Sequence, residues 1–84
     1  MLEKLSGALE LPQDVVLDLS RVILVGRLQL QVENHKGVIE FSPSRIRIAT
    51  AHGEVIVTGT RLFISAIYEH EVLVSGQIDG LQLL

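Results

Sequence analysis

A two-residue hydrophobic period, broken at short intervals by glycine or proline, restricts this 84-residue chain more than any other feature. Leu28, Leu30 and Val32 alternate with Gln29, Gln31 and Glu33. Ile46 and Ile48 alternate with Arg45 and Arg47. Side chains point alternately to opposite faces of a strand, so each run reads as a strand with one wet face. Ten Val, eight Ile and three Thr supply the β-branched content that suits a pleated, half-buried surface. Val22–Val25 is apolar throughout and reads as a strand buried on both faces. Further strands fit 15–19, 38–41, 55–58, 62–67, 72–75 and 81–84. Helical spacing occurs only at the start, where Leu2, Leu5 and Leu9 fall at i, i+3 and i+7 before Pro12. Residues 1–11 are therefore expected to form a short helix or a flexible arm.

Gly26-Arg27, Gly59-Thr60 and Gly76-Gln77 each place glycine first in a two-residue turn, the pattern that needs positive φ. Ser42-Pro43-Ser44 reads as a turn. Asn34–Gly37 and Ala51–Gly53 read as longer hairpin loops. Gly37-Val38-Ile39, Glu54-Val55-Ile56 and Glu71-Val72-Leu73 begin 17 residues apart, and Val57-Thr58-Gly59 repeats as Val74-Ser75-Gly76 at the same offset. The spacing fits either an old duplication or the regularity of any meander of short strands. Such short connections cannot make parallel crossovers. The expectation is one all-β domain spanning residues 1–84: an antiparallel meander of about eight short strands forming a β-sandwich, with a small closed β-barrel as the alternative. Leu28, Leu30, Ile39, Phe41, Ile46, Ile48, Ile64 and Val74 are the expected core, with Phe63.

Composition narrows function less than fold. There is no cysteine, which removes disulfide scaffolds and thiol chemistry. A formal charge of −3 speaks against general nucleic-acid binding, and three aromatics are too few for a base-stacking platform. No apolar run is long enough to span a bilayer. The serines lack a nucleophile-elbow context, the glycines form no phosphate loop, and Asp14 and Asp18 read as solvent-facing, so no enzyme is expected.

Two constellations stand out. His35, His52 and His70 each sit in or beside a turn, and alternate turns of a meander share one end of the sheet. Converging with Glu33, Glu54, Glu69 and Glu71 they would suit zinc or a pH sensor; the plainer reading is that polar residues gather in loops. At the opposite end Arg27, Arg45 and Arg61 each follow a glycine or proline turn, and Arg47 shares a strand with Arg45. That basic rim, with the Leu2, Leu5 and Leu9 stripe, is the candidate interaction surface. Ordinary solvated charge guarding apolar strands is the competing account.

The order of these segments resembles the YabP/YqfC family of sporulation proteins. The residues that carry the likeness are Leu11–Asp18, Val25-Gly26-Arg27-Leu28, Glu33–Gly37, Gly53–Leu62 and Val74–Ile78. The Glu-Asn-His-Lys-Gly run brings the chain nearer the YqfC branch. The resemblance implies an immunoglobulin-like sandwich made in the mother cell of endospore formers. It also implies a cytoplasmic location, peripheral to a membrane through a membrane-protein partner encoded beside the gene. It carries over no catalytic residue and no cofactor. In the family, basic residues often follow the last glycine hairpin; here Gln77-Ile78-Asp79-Gly80 stands instead. The functional expectation is a non-enzymatic adaptor that docks to this partner or self-assembles, with the histidine-bearing sensor as alternative.

Overall fold

The computed structural model describes residues 17–84. The expected N-terminal helix or arm, with Leu2, Leu5 and Leu9, lies outside the described residues, as does most of the expected strand over 15–19. Leu17 and Asp18 form a turn, and Asp18 adopts a φ of 57°. Six strands follow: β1 (Arg21–Val25), β2 (Gln29–Glu33), β3 (Gly37–Phe41), β4 (Arg45–Thr50), β5 (Gly53–Ile67) and β6 (Glu71–Leu83). All pairs are antiparallel and all belong to one open sheet of order β1-β2-β6-β5-β4-β3. The all-β antiparallel expectation holds. Strand number and layering do not: there are six strands, not about eight, hydrogen-bonded into one sheet and not into two separate layers. The barrel alternative fails as well, because β1 and β3 are edges that do not pair.

The count falls because Val55–Thr58 and Leu62–Ile67 are one strand, β5, and Val72–Ser75 and Leu81–Leu83 are another, β6. Gly59 and Gly76 lie inside these strands and not in hairpin turns. The β5–β6 register shifts between Thr58 and Gly59, between Thr60 and Phe63, and between Ile64 and Ala66. Extra residues of this kind bend a strand and increase its twist. Gly26 and Gly76 have the expected positive φ, 57° and 129°. Gly59 does not; it is glycine for lack of space, since a Cβ there would overlap the Gln77 carbonyl oxygen.

The sheet thus has two halves that meet at this corner. In one, β1 and β2 flank the first part of β6. In the other, β3 and β4 flank the first part of β5. The halves correspond residue by residue. Leu30 faces Val74 and Val32 faces Val72; Ile46 faces Val57 and Ile48 faces Val55. All eight are buried and join Leu62 and Ile78 in one cluster. The turns correspond too. Ile78 N–H donates to the Arg27 carbonyl at 2.7 Å and Leu62 N–H to the Pro43 carbonyl at 2.8 Å. Gly76 N–H donates to Leu28 at 3.2 Å and Gly59 N–H to Ser44 at 3.1 Å. The 17-residue spacing of the sequence is therefore a structural equivalence between the first halves of β5 and β6.

The expected core holds in the middle of the strands and fails at their margins, Leu28 included although it shares the alternation of Leu30 and Val32. Leu30, Ile46, Ile48 and Val74 are fully buried and Ile64 packs partly against them. Leu28, Ile39, Phe41 and Phe63 are at least half exposed. Leu28 is in the β1–β2 turn, Ile39 and Phe41 are on edge strand β3, and Phe63 is on the part of β5 that β4 does not cover. Val22–Val25 is likewise an edge strand, not a strand buried on both faces.

Candidate functional site

Asn34–Lys36 was expected to turn a hairpin. It instead crosses from one half of the sheet to the other, because β2 pairs with β6 and not with β3. The link is pinned on both sides. Asn34 N–H donates to the His70 carbonyl, and Lys36 N–H to the Ala49 carbonyl at 2.8 Å. Asn34 accepts a φ of 62°, which asparagine tolerates well. Its amide donates to the Asp18 carboxylate at 2.7 Å and to the Leu19 carbonyl at 3.1 Å. Hydrogen bonds from Asn34 and Lys36 hold the Asp18 carboxyl below its ordinary range.

The three histidine-bearing turns do gather around this link, but their imidazoles have separate tasks. His35 is buried. Its Nδ1 accepts from the Gly37 N–H at 2.9 Å, which leaves Nε2 to donate to the Tyr68 carbonyl at 3.0 Å. His52 Nε2 lies 2.9 Å from the Leu17 carbonyl, and exposed His70 lies 3.7 Å from Glu69. Among the described residues no three His, Cys, Asp or Glu side chains are grouped to hold a metal ion. The sensor alternative required convergence of the histidines and does not obtain it. His35 is instead a structural tie between the crossover and the β5–β6 turn, a role hidden in the sequence because strand order decides it.

The four arginines of the candidate surface divide into two pairs. Arg47 points to the outer face of β4 and makes a bidentate pair with Glu54, at 2.7 and 2.9 Å, and a 3.5 Å contact with Glu40. The hydrogen bonds from Arg47 lower the Glu54 carboxyl below its ordinary value, and those to Glu54 raise the Arg47 guanidinium above its own. Arg45 lies 3.8 Å from Glu40. These two hold the exposed face of one half together. Arg27 and Arg61 are exposed at the corner and have no ion-pair partner among the described residues. Arg61 is held at a φ of 55° within the β5 irregularity. Arg27 lines an open cleft of about 160 Å³ with Leu24, Ile78, Asp79, Gly80 and Leu81.

Beside this cleft no described strand completes the sheet. β2 covers β6 only as far as Ser75, and β4 covers β5 only as far as Thr58. Leu84 and Glu54 exchange both backbone hydrogen bonds, at 2.9 and 3.0 Å. In an antiparallel ladder the next residues alternate, so the N–H and C=O of Leu81 and Leu83 face away from β5. Edge β1 carries the Arg21–Glu33 pair, and edge β3 carries Glu40 and a register shift. Gly80–Leu83 carries neither a charge nor an irregularity. The sequence marked a strand at 81–84 but not its place in the sheet: β6 lies between β2 and β5, and only its second half lacks a described strand on one side.

A chain of this layout has counterparts among known proteins. Residues 18–84 match the model of the YabP family. Over 75 residues the chain is 43% identical to the "Uncharacterized protein YqfC" of Bacillus subtilis (strain 168), spanning 89% of this chain and 81% of that one. A family match over nearly all of the described residues, together with a relative this similar, means that the chain belongs to the YabP family, in agreement with the resemblance in its turn and strand pattern.

Proposed function

We propose that the chain is a non-enzymatic interaction module of sporulation, working in the mother cell and docking to a membrane-protein partner or to further copies of itself. The observation that carries this reading is the second half of β6, which no described strand covers on the side away from β5. It offers outward backbone groups at Leu81 and Leu83, a stretch beyond Asp79, Gly80–Leu83, that carries no charge, and an adjoining cleft where Arg27 has no ion-pair partner among the described residues. Free, regular strand edges are templates for strand addition, and natural proteins that do not use them block them. No described helix is long and apolar enough to cross a membrane.

A pull-down from membranes of sporulating cells tests this, comparing the native chain with Leu83→Pro. The Leu83 N–H faces outward, so proline there removes a docking donor without removing a hydrogen bond to β5. Capture of one membrane protein by the native chain, lost in Leu83→Pro with the thermal midpoint preserved, is expected. Capture that is indifferent to the substitution would overturn the assignment of the edge.

A further inference from the structure

The near-equivalence of the two halves separates residues the fold requires from residues it does not. The β1–β2 turn Gly26-Arg27-Leu28 and the β3–β4 turn Ser42-Pro43-Ser44 make the same backbone contacts to the central strands. Pro43 and Ser44 therefore meet the needs of the fold at the positions where Arg27 and Leu28 stand. Leu28 is 71% exposed, beside exposed Val25. The corner shows a second asymmetry. One residue, Gln77, separates Gly76 from Ile78, whereas two, Thr60 and Arg61, separate Gly59 from Leu62. Arg61 carries the positive φ there, a conformation that costs a non-glycine residue free energy. This end of the first half thus carries exposed Arg27 and Leu28, with the backbone of exposed Arg61 against Gly76 on the next strand, and neither arginine has an ion-pair partner among the described residues. Asp79 is the acidic group at this end and accepts a 3.3 Å hydrogen bond from Gln77, which leaves a basic excess.

The opposite end of the same half is complementary. The β5–β6 turn exposes Ile67 and Tyr68 and carries Glu69, whose side chain is 87% exposed, with His70 3.7 Å away. Strands of five residues separate the two tips by roughly 17 Å. Both tips are held through their backbones, not their side chains. Carbonyls of Arg27 and Leu28 are bonded to Ile78 and Gly76, and carbonyls of Tyr68 and His70 to His35 and Asn34. The backbone bonds fix where the tips stand, while the exposed side chains still lose rotamer freedom on contact.

We infer that the chain associates with a second copy of itself head to tail, the Arg27–Leu28–Arg61 tip of one molecule meeting the Ile67–Tyr68–Glu69 tip of the next. This rests on the reading of the chain as an interaction module and names one of its partners. The contact joins unlike surfaces, so each added molecule leaves one tip of each kind free and the assembly grows into a string or closes into a ring. Contacts below roughly 1,000 Å² are weak, so association is expected to be concentration-dependent and salt-sensitive.

Sedimentation velocity on the full chain, from micromolar to about millimolar, tests it. The native chain should shift to larger species with concentration and lose them at ~1 M salt, where the screening length is about 3 Å. Arg27→Glu/Arg61→Glu and Glu69→Arg should each sediment as monomers. An equimolar mixture of the two should associate again, because each then offers what the other lacks. Leu28→Ser copies the residue that already serves at Ser44, so it should fold normally and weaken association roughly tenfold. A native chain that is monomeric at every concentration would overturn the inference, as would assembly that survives both charge reversals. Leu83→Pro alters the β6 edge and leaves Arg27, Leu28, Arg61 and Glu69 in place, so the pull-down and the charge reversals fail separately.

Discussion

Gly59 and Gly76 occupy matching places in the two long strands, each with its N–H bonded to the carbonyl of a turn from a flanking hairpin. Each also lies against the other strand: a Cβ on Gly59 would overlap the Gln77 carbonyl oxygen, and one on Gly76 would stand 2.6 Å from that of Arg61. The corner that lets a single sheet bury one core depends on this mutual approach.

Alanine at either glycine should therefore be costly. A loss of about 2–4 kcal/mol is expected for Gly59→Ala and for Gly76→Ala, since backbone must move to admit a methyl group. Gly26→Ala meets nothing within 4 Å and carries only the penalty of its φ of 57°, about 1–2 kcal/mol. Urea unfolding of the three variants gives the order. Equal losses would mean that close approach is not what selects glycine at the corner.

Truncation in the shared core should differ sharply from truncation at the turn. Leu30→Ala and Ile46→Ala each remove a fully buried side chain and should cost ~2–5 kcal/mol. Leu28→Ala should change stability by less than about 0.5 kcal/mol. Thermal melts that rank Leu28 with the other two would contradict its placement in solvent.

His35→Ala leaves the Gly37 N–H and the Tyr68 carbonyl without their partner in a buried place. About 1–3 kcal/mol should be lost. Hydrogen exchange at Gly37 should accelerate while exchange in β1 is little changed. Uniform acceleration would show that the tie is not local.

Acid stability has a marked contribution at Glu54. Its carboxyl lies below the ordinary 4.5 in the folded chain because of Arg47. The stabilisation is then complete above the unfolded value and lost as pH falls through the lower folded value. Glu54→Gln should flatten the dependence of stability on pH below ~4.5 and leave its shape near neutrality unchanged. An acid limb identical in the variant would remove Glu54 from the account.

Glu33 and Glu71 are direct cross-strand partners on β2 and β6, and the Gln31 amide donates to both. Like charges placed opposite each other oppose pairing. Glu71→Gln, which can still accept from Gln31, should stabilise the chain by ~0.2–1 kcal/mol at low salt and by less at high salt. A lower melting temperature would show that the amide bridge outweighs the repulsion.

Local chemistry was enough to read much of this molecule. Alternation assigned Leu30, Val32, Ile46, Ile48 and Val74 to one face because side-chain direction reverses at every residue. Glycine and proline marked the β1–β2 and β3–β4 turns, and the repeated Val-Thr-Gly and Val-Ser-Gly announced the matching halves of β5 and β6. Pairing order was not readable. Nothing in Asn34–Gly37 itself distinguishes a hairpin from a crossover, since that depends on β2 finding β6 some 40 residues away, as in the Gln31–Glu71 contact. The same long-range choice decides that Gly59 bends a strand and does not end one, that His35 is buried and tied off, and that Phe41 and Phe63 stand at margins. It also divides the arginines. Arg47 meets Glu54 because β4 and β5 are neighbours, while Arg27 and Arg61 reach a corner where no described carboxylate pairs with them. Periodicity is written in adjacent residues; burial and charge pairing belong to surfaces that exist only once distant strands have met.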